Sequence, residues 1–194
     1  MSGLRHARAS ISLHGVTRHI LLLSGSLRIA SSNTALLHAA SALAPPHVEA
    51  SLFDGIGDLP HFNPDMDRDP APVAVQRWRD ALGTADAVLI STPEYAHGLP
   101  GVLKNALDWV VGSGEFMHTR VGLLNASAAS TFAPAALQET LVTMMAVLVP
   151  DAIVTVPLSR RPVDVASILA DPPAVAAIRD AMRALASAIA VSSA

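Results

Sequence analysis

Pro93-Glu94-Tyr95-Ala96-His97-Gly98-Leu99-Pro100-Gly101-Val102-Leu103-Lys104-Asn105-Ala106-Leu107-Asp108-Trp109 is the stretch whose reading decides the fold of this chain. The apolar run before it, Ala87-Val88-Leu89-Ile90, is short and β-branched, as a buried strand requires. After the loop, Leu103, Ala106, Leu107 and Val110 recur at i, i+3, i+4 and i+7, which predicts an amphipathic helix. Pro100 stands where a helix tolerates proline, in its first turn. The order is therefore strand, glycine-bearing loop, helix. In a parallel α/β sheet such a loop lies at the carboxyl end of a strand, where ligands bind.

A second loop of this kind lies near the start. His19 to Leu23 predicts a strand, and Ser24-Gly25-Ser26-Leu27-Arg28-Ile29-Ala30-Ser31-Ser32-Asn33 follows it. Gly25 permits a tight turn, and Ser31, Ser32 and Asn33 are good caps for a helix over Thr34 to Leu43. A hydroxyl-rich loop that opens a helix suits an anion, because free N–H groups and the positive helix end face it. Arg28 adds a forked cation for phosphate. The loop lacks the Gly-Lys-Ser/Thr ending of a Walker loop and the spacing of a Gly-x-Gly-x-x-Gly turn.

The remaining pattern predicts strands at His47–Phe53, Arg120–Asn125 and Ala152–Val156, and helices at Val73–Leu82, Pro134–Leu148 and Ala174–Val191. Asp54 to Pro72 is too long for a plain connector and is expected to wall a site. Its acidic residues lack an ordered ligand spacing, so a solvated loop is expected rather than a metal site. The Pro134–Leu148 segment is apolar nearly all round, with Leu137, Leu141, Met144, Met145 and Leu148 on one face. It is expected to be buried on both sides and to form a homodimer interface, beside the Val102–Val111 helix. Strands alternating with helices call for an α/β doubly wound parallel sheet, with the order 2-1-3-4-5 as the natural topology. In that order the loops after strands 1 and 3, the two already selected on chemical grounds, flank the switch point.

Composition narrows the function. The 194 residues suit one domain over 19–194, with residues 1–18 expected to be an extension that adds little to the core. A net charge of -3 gives no basic footprint for nucleic acid. The absence of cysteine excludes disulfides and thiolate catalysis. No apolar segment reaches membrane-spanning length, and Ile20 to Leu23 is too short for a signal region, so a cytoplasmic protein is expected.

Gly25-Ser26-Leu27-Arg28 with Ser31 and Asn33 resembles the phosphate loop of the NADPH-dependent FMN reductase family. Pro93-Glu94-Tyr95, Gly98, Pro100-Gly101, Leu103-Lys104-Asn105 and Asp108-Trp109 resemble that family's second signature. The resemblance implies a flavodoxin-like three-layer sandwich, non-covalent FMN, NADPH as reductant, a small-molecule electron acceptor (a quinone, an azo compound or free flavin), and a homodimer or homotetramer. It implies that Ser26, Arg28, Ser31, Ser32 and Asn33 hold the FMN phosphate. Pro93, Glu94, Tyr95, Ala96, His97 and Gly98 would line the flavin ring, with Ser127 nearby. Lys104, Asn105, Asp108 and Trp109 would hold the loop and helix in place. Two departures stand out: Ala96-His97 where many relatives have Asn, and Ala126 to Ala133 where relatives often have glycines. A second reading is a flavodoxin-like electron carrier or flavin-binding module without NADPH turnover. A third is a flavin-free structural or regulatory relative.

Overall fold

The computed structural model describes residues 17–156, 158 and 163–191. Most of the expected extension, residues 1–16, lies outside the described residues, as do 157, 159–162 and 192–194. The strands are β1 (Arg18–Ser24), β2 (Val48–Leu52), β3 (Ala87–Ser91), β4 (Arg120–Asn125) and β5 (Val147–Thr155). The helices are α1 (Ser32–Ala42), α2 (Val73–Gly83), α3 (Gly101–Asp108), α4 (Phe132–Thr143), α5 (Val165–Leu169) and α6 (Pro172–Val191). All strand pairs are parallel and the order is β2-β1-β3-β4-β5, as the sequence predicts.

Strand periodicity explains the three layers. Successive strand side chains point to opposite faces. Ile20, Leu22, Leu89 and Leu124 meet Leu36 of α1 and Ile178, Met182 and Leu185 of α6 on one face. Leu21, Leu23, Val88, Ile90 and Val121 meet Trp78 of α2, Leu103 and Leu107 of α3, and Leu137 and Leu141 of α4 on the other. Strands buried on both faces read as continuous apolar runs, which is why β1 and β3 stand out in the sequence.

The largest departure from the sequence reading is at β5. Val147, Leu148 and Val149 are not helix but the first residues of that strand, and α4 ends at Thr143. The helix stops because Met145 takes a left-handed conformation, φ 59°, and its carbonyl accepts from His118 N–H at 2.9 Å. Leu148 therefore does not share a face with Leu137 and Leu141. Nor is α4 buried on both sides: Phe132 and Val142 stay exposed, as does Met145 just beyond its end. The register between β4 and β5 shifts between Val121 and Leu123, so β5 loops out at its centre around Pro150 and Asp151. Between β5 and α6 lies the short helix α5, capped by Asp164, whose carboxylate accepts from Ser167 N–H at 2.8 Å.

Candidate functional site

The loops after β1 and β3 meet at the carboxyl end of the sheet. Gly25 N–H donates to the Ser91 carbonyl at 2.9 Å, joining the two strand ends. A Cβ on Gly25 would stand 2.2 Å from Thr92 Oγ1 and 2.8 Å from Thr92 Cβ. Glycine is required here by that close approach.

Beyond Gly25, the hydroxyls of the β1–α1 loop shape the loop itself. Ser24 Oγ lies 2.8 Å from Thr34 Oγ1 and accepts from Ser26 N–H at 3.2 Å. Ser26 Oγ accepts from Arg28 N–H at 3.3 Å. Ser31 caps α1 through Thr34 N–H at 3.3 Å. Asn33 Oδ1 accepts from Ser91 Oγ at 2.9 Å, a further tie between the two loops. Ser26, Ser31 and Asn33 are buried, while Ser32 is partly exposed and Arg28 exposed. What the loop offers an anion is thus chiefly the backbone N–H groups of the first turn of α1, which have no partner inside the helix, together with the Arg28 guanidinium.

The β3–α3 loop turns back on itself. Tyr95 and Gly98 pair as an isolated bridge, each N–H donating to the other's carbonyl at 3.1 and 3.0 Å. Between them Ala96 (φ 49°) and His97 (φ 59°) both lie in the left-handed region, as a type I′ turn requires. Glycine and asparagine take that conformation readily; alanine and histidine do so under strain. Two contacts with α4 brace the turn. Glu94 Oε2 accepts from the N–H groups of Phe132 at 2.8 Å and Ala133 at 2.9 Å. The His97 ring stacks on Phe132, centroids 4.3 Å apart and planes 14° apart. Thr131 gives α4 no side-chain cap, so Glu94 takes that place from the neighbouring loop. One oxygen of the Glu94 carboxylate thus holds the start of α4.

A cleft of about 380 Å³ separates the two loops, with Leu27 and Arg28 on one wall and Tyr95 and the Pro100–Val102 start of α3 on the other. This falls within the range of small-molecule sites, about 300–1,000 Å³. Leu27 and Tyr95 are 61% and 50% exposed, so the mouth is apolar beside the cationic loop. A planar ring carrying a phosphate fits that chemistry. Of the candidate residues, Arg28 and Tyr95 line this cleft directly. Pro93, Ala96, His97 and Gly98 form the adjoining turn. Ser127 is not among the residues that line this cleft, and its hydroxyl accepts from Ala129 N–H at 3.3 Å within its own turn.

The long loop after β2 packs beside this site. Its Pro60 carbonyl accepts from Asn105 Nδ2 at 2.9 Å and Trp109 Nε1 at 2.7 Å, and Phe62 N–H donates to Asn105 Oδ1 at 2.7 Å. Arg79 holds its far end through Asp67 and the Trp109 carbonyl, both at 2.7 Å. A Cβ on Gly57 would lie 3.1 Å from Leu27, so the loop also reaches the phosphate-side loop. Asn105 and Trp109 position it, and Lys104 and Asp108 simply pair at 2.6 Å. Thr92, Phe132 and Pro60 contribute to the site without any local signal in the sequence. Their roles rest on contacts made across the fold.

Residues 18–160 match the family model described as NADPH-dependent FMN reductase. An NAD(P)H-dependent FMN reductase of Pseudomonas aeruginosa is 42% identical over 111 residues, covering 56% of this chain and 60% of that protein. A quinone reductase of Pseudomonas putida is 43% identical over 97 residues, 50% of each chain. The matched region thus spans about half to three fifths of the length of these curated relatives. Among solved structures, the flavoenzyme NAD(P)H:(acceptor) oxidoreductase FerB from Paracoccus denitrificans superposes with a TM-score of 0.74 at 28% identity, covering 90% of this chain and 98% of that one. An archaeal flavodoxin, 10% identical with a TM-score of 0.62, shares the fold. With the family model covering all five strands and the loops after β1 and β3, the chain belongs to the NADPH-dependent FMN reductase family.

Proposed function

We propose that this chain binds FMN in the cleft between the β1–α1 and β3–α3 loops and is an NAD(P)H-dependent oxidoreductase. Its acceptor would be a small organic molecule such as a quinone, an azo compound or free flavin. The observation that supports this reading is the junction of the two loops through Gly25 and Ser91, which brings the loop leading into α1 to the cleft lined by Leu27, Arg28, Tyr95 and Val102. The first turn of α1 and Arg28 would hold the phosphate. Leu27, Tyr95 and Val102 would cover the apolar ring and exclude water from it. The Tyr95 and Gly98 N–H groups are used within the turn. Those of Ala96 and His97 remain to serve the ring's polar edge, where negative charge grows on reduction. FMN, when bound, supplies the hydride and electron chemistry, and the protein supplies position and electrostatics.

A homodimer or homotetramer belongs to the same reading. Val142, Met145 and Val147 are exposed at 54%, 53% and 43% and lie close together where α4 gives way to β5. Single exposed apolar residues are ordinary, but a contiguous group favours a partner surface. Among the described residues no helix is long and apolar enough to cross a membrane. A cytoplasmic location is part of the proposal, since NAD(P)H is the reductant.

The test is a visible spectrum of the purified protein after addition of FMN and removal of the excess, recorded before and after anaerobic NADPH or NADH. A retained flavin band that bleaches supports the proposal. A retained band that does not bleach points to an electron carrier. No retained band removes the bound-cofactor reading.

A further inference from the structure

We propose that Glu94 and His97 are positioning residues: by gripping the first turn of α4 they hold the strained Ala96-His97 turn in its left-handed conformation. The inference rests on the FMN reading of the same cleft. Three observations on this turn converge. Ala96 and His97 both sit at positive φ, 49° and 59°, where a type I′ turn strongly prefers Asn-Gly. Such a conformation persists only where the surroundings over-determine it. Beside the Tyr95–Gly98 bridge that closes the turn, two side-chain contacts tie it to the first turn of α4. Phe132 and Ala133 donate their N–H groups to the Glu94 carboxylate at 2.8 and 2.9 Å, and the Phe132 ring carries the His97 imidazole at 4.3 Å.

The arrangement is reciprocal. Glu94 precedes the turn and fixes where it begins; His97 lies within it and fixes how it is rotated. Glu94 brings negative charge to a helix start that has no side-chain cap of its own, so the contact is stable for both elements. If the grip is lost, Ala96 and His97 can relax toward negative φ. The N–H groups that Ala96 and His97 would offer the flavin then swing away, without the Glu94 carboxylate or the His97 imidazole having to act on the flavin. A turn that is Asn-Gly would keep its shape without the brace. In this chain the shape is supplied by the brace instead of by the turn residues.

The experiment is a double-mutant cycle read in two ways. FMN affinity is measured by quenching of flavin fluorescence, and amide exchange is measured at Tyr95 and Gly98 in the apoprotein. Glu94→Ala should weaken FMN binding about tenfold and speed exchange at both amides. Glu94→Gln, whose side-chain oxygen can still accept both bonds, should retain affinity within about threefold. In the Ala96→Asn/His97→Gly background, Glu94→Ala should cost no more than about twofold and leave the two amides protected. An equal loss of affinity in both backgrounds, or no loss in either, overturns the proposal. If the unsubstituted protein binds no FMN, the cofactor reading fails by itself. Amide exchange then still decides: unchanged protection at Tyr95 and Gly98 in Glu94→Ala overturns the brace, and lost protection restored by the Asn-Gly turn upholds it.

Discussion

Gly25 shows how one missing Cβ shapes the site. The β1 loop can lie against Thr92 only because nothing fills the 2.2 Å between an added Cβ and Thr92 Oγ1. Gly25→Ala must push Thr92 or the loop aside, and overpacking of this kind typically costs about 1–3 kcal/mol. Urea denaturation should show an unfolding free energy lower by that amount, and a correspondingly lower midpoint, together with weaker FMN binding. A wild-type midpoint would mean the loop yields without strain. At Asp164 the argument concerns charge. The Ser167 backbone N–H donates to the carboxylate at 2.8 Å and, with the Ser167 hydroxyl beside it, holds its pKa below the usual carboxylate value. A depressed folded pKa gives stabilisation that is fully present above the unfolded value and is lost as pH falls through the folded one. The protection factor of the Ser167 amide, its exchange rate relative to the intrinsic rate at the same pH, should therefore be constant above about pH 4 and fall below it. Asp164→Asn should abolish that pH dependence.

At the scale of elements, α3 does more than pack against the sheet. Asn105 bonds both the Pro60 carbonyl and the Phe62 N–H, and Trp109 adds a second donor to Pro60. Asn105→Ala removes two bonds at once, worth about 1–3 kcal/mol together. Limited proteolysis should then cut within residues 54–72 before the sheet unfolds; resistance equal to wild type would show that Arg79 and Trp109 suffice. These ties also explain what could be read from the sequence. β1, β3, α3 and both ligand-facing loops were legible because buried parallel strands and amphipathic helices leave periodic apolar patterns. The end of α4 was not. Thr143-Met144-Met145-Ala146-Val147 contains neither glycine nor proline, and the left-handed stop falls on a methionine. Periodicity cannot separate a buried helix from a strand across such a run. Glu94 was legible as a site residue, but its commitment to α4 was not, because the groups it caps lie 38 and 39 positions away.

For the whole molecule, the two ends of the sheet divide the work. The carboxyl end carries the cleft, while the opposite end of β4 and β5 lies beside Val142, Met145 and Val147. Val142→Asp together with Met145→Asp should convert the proposed dimer to monomer in light scattering at micromolar concentration, with FMN binding retained. An unchanged mass would move the interface elsewhere.

The interruption of β5 bears on how such assembly ends. An open edge strand is a template on which chains can add without limit. Here Pro150 has no N–H to offer, and the bulge breaks the run of backbone groups at its middle. The opposite edge, β2, is only five residues long, with Glu49 and Ser51 facing solvent. Both borders of the sheet thus resist strand addition, which protects the chain against fibrillar growth and leaves association to side-chain surfaces that close on themselves.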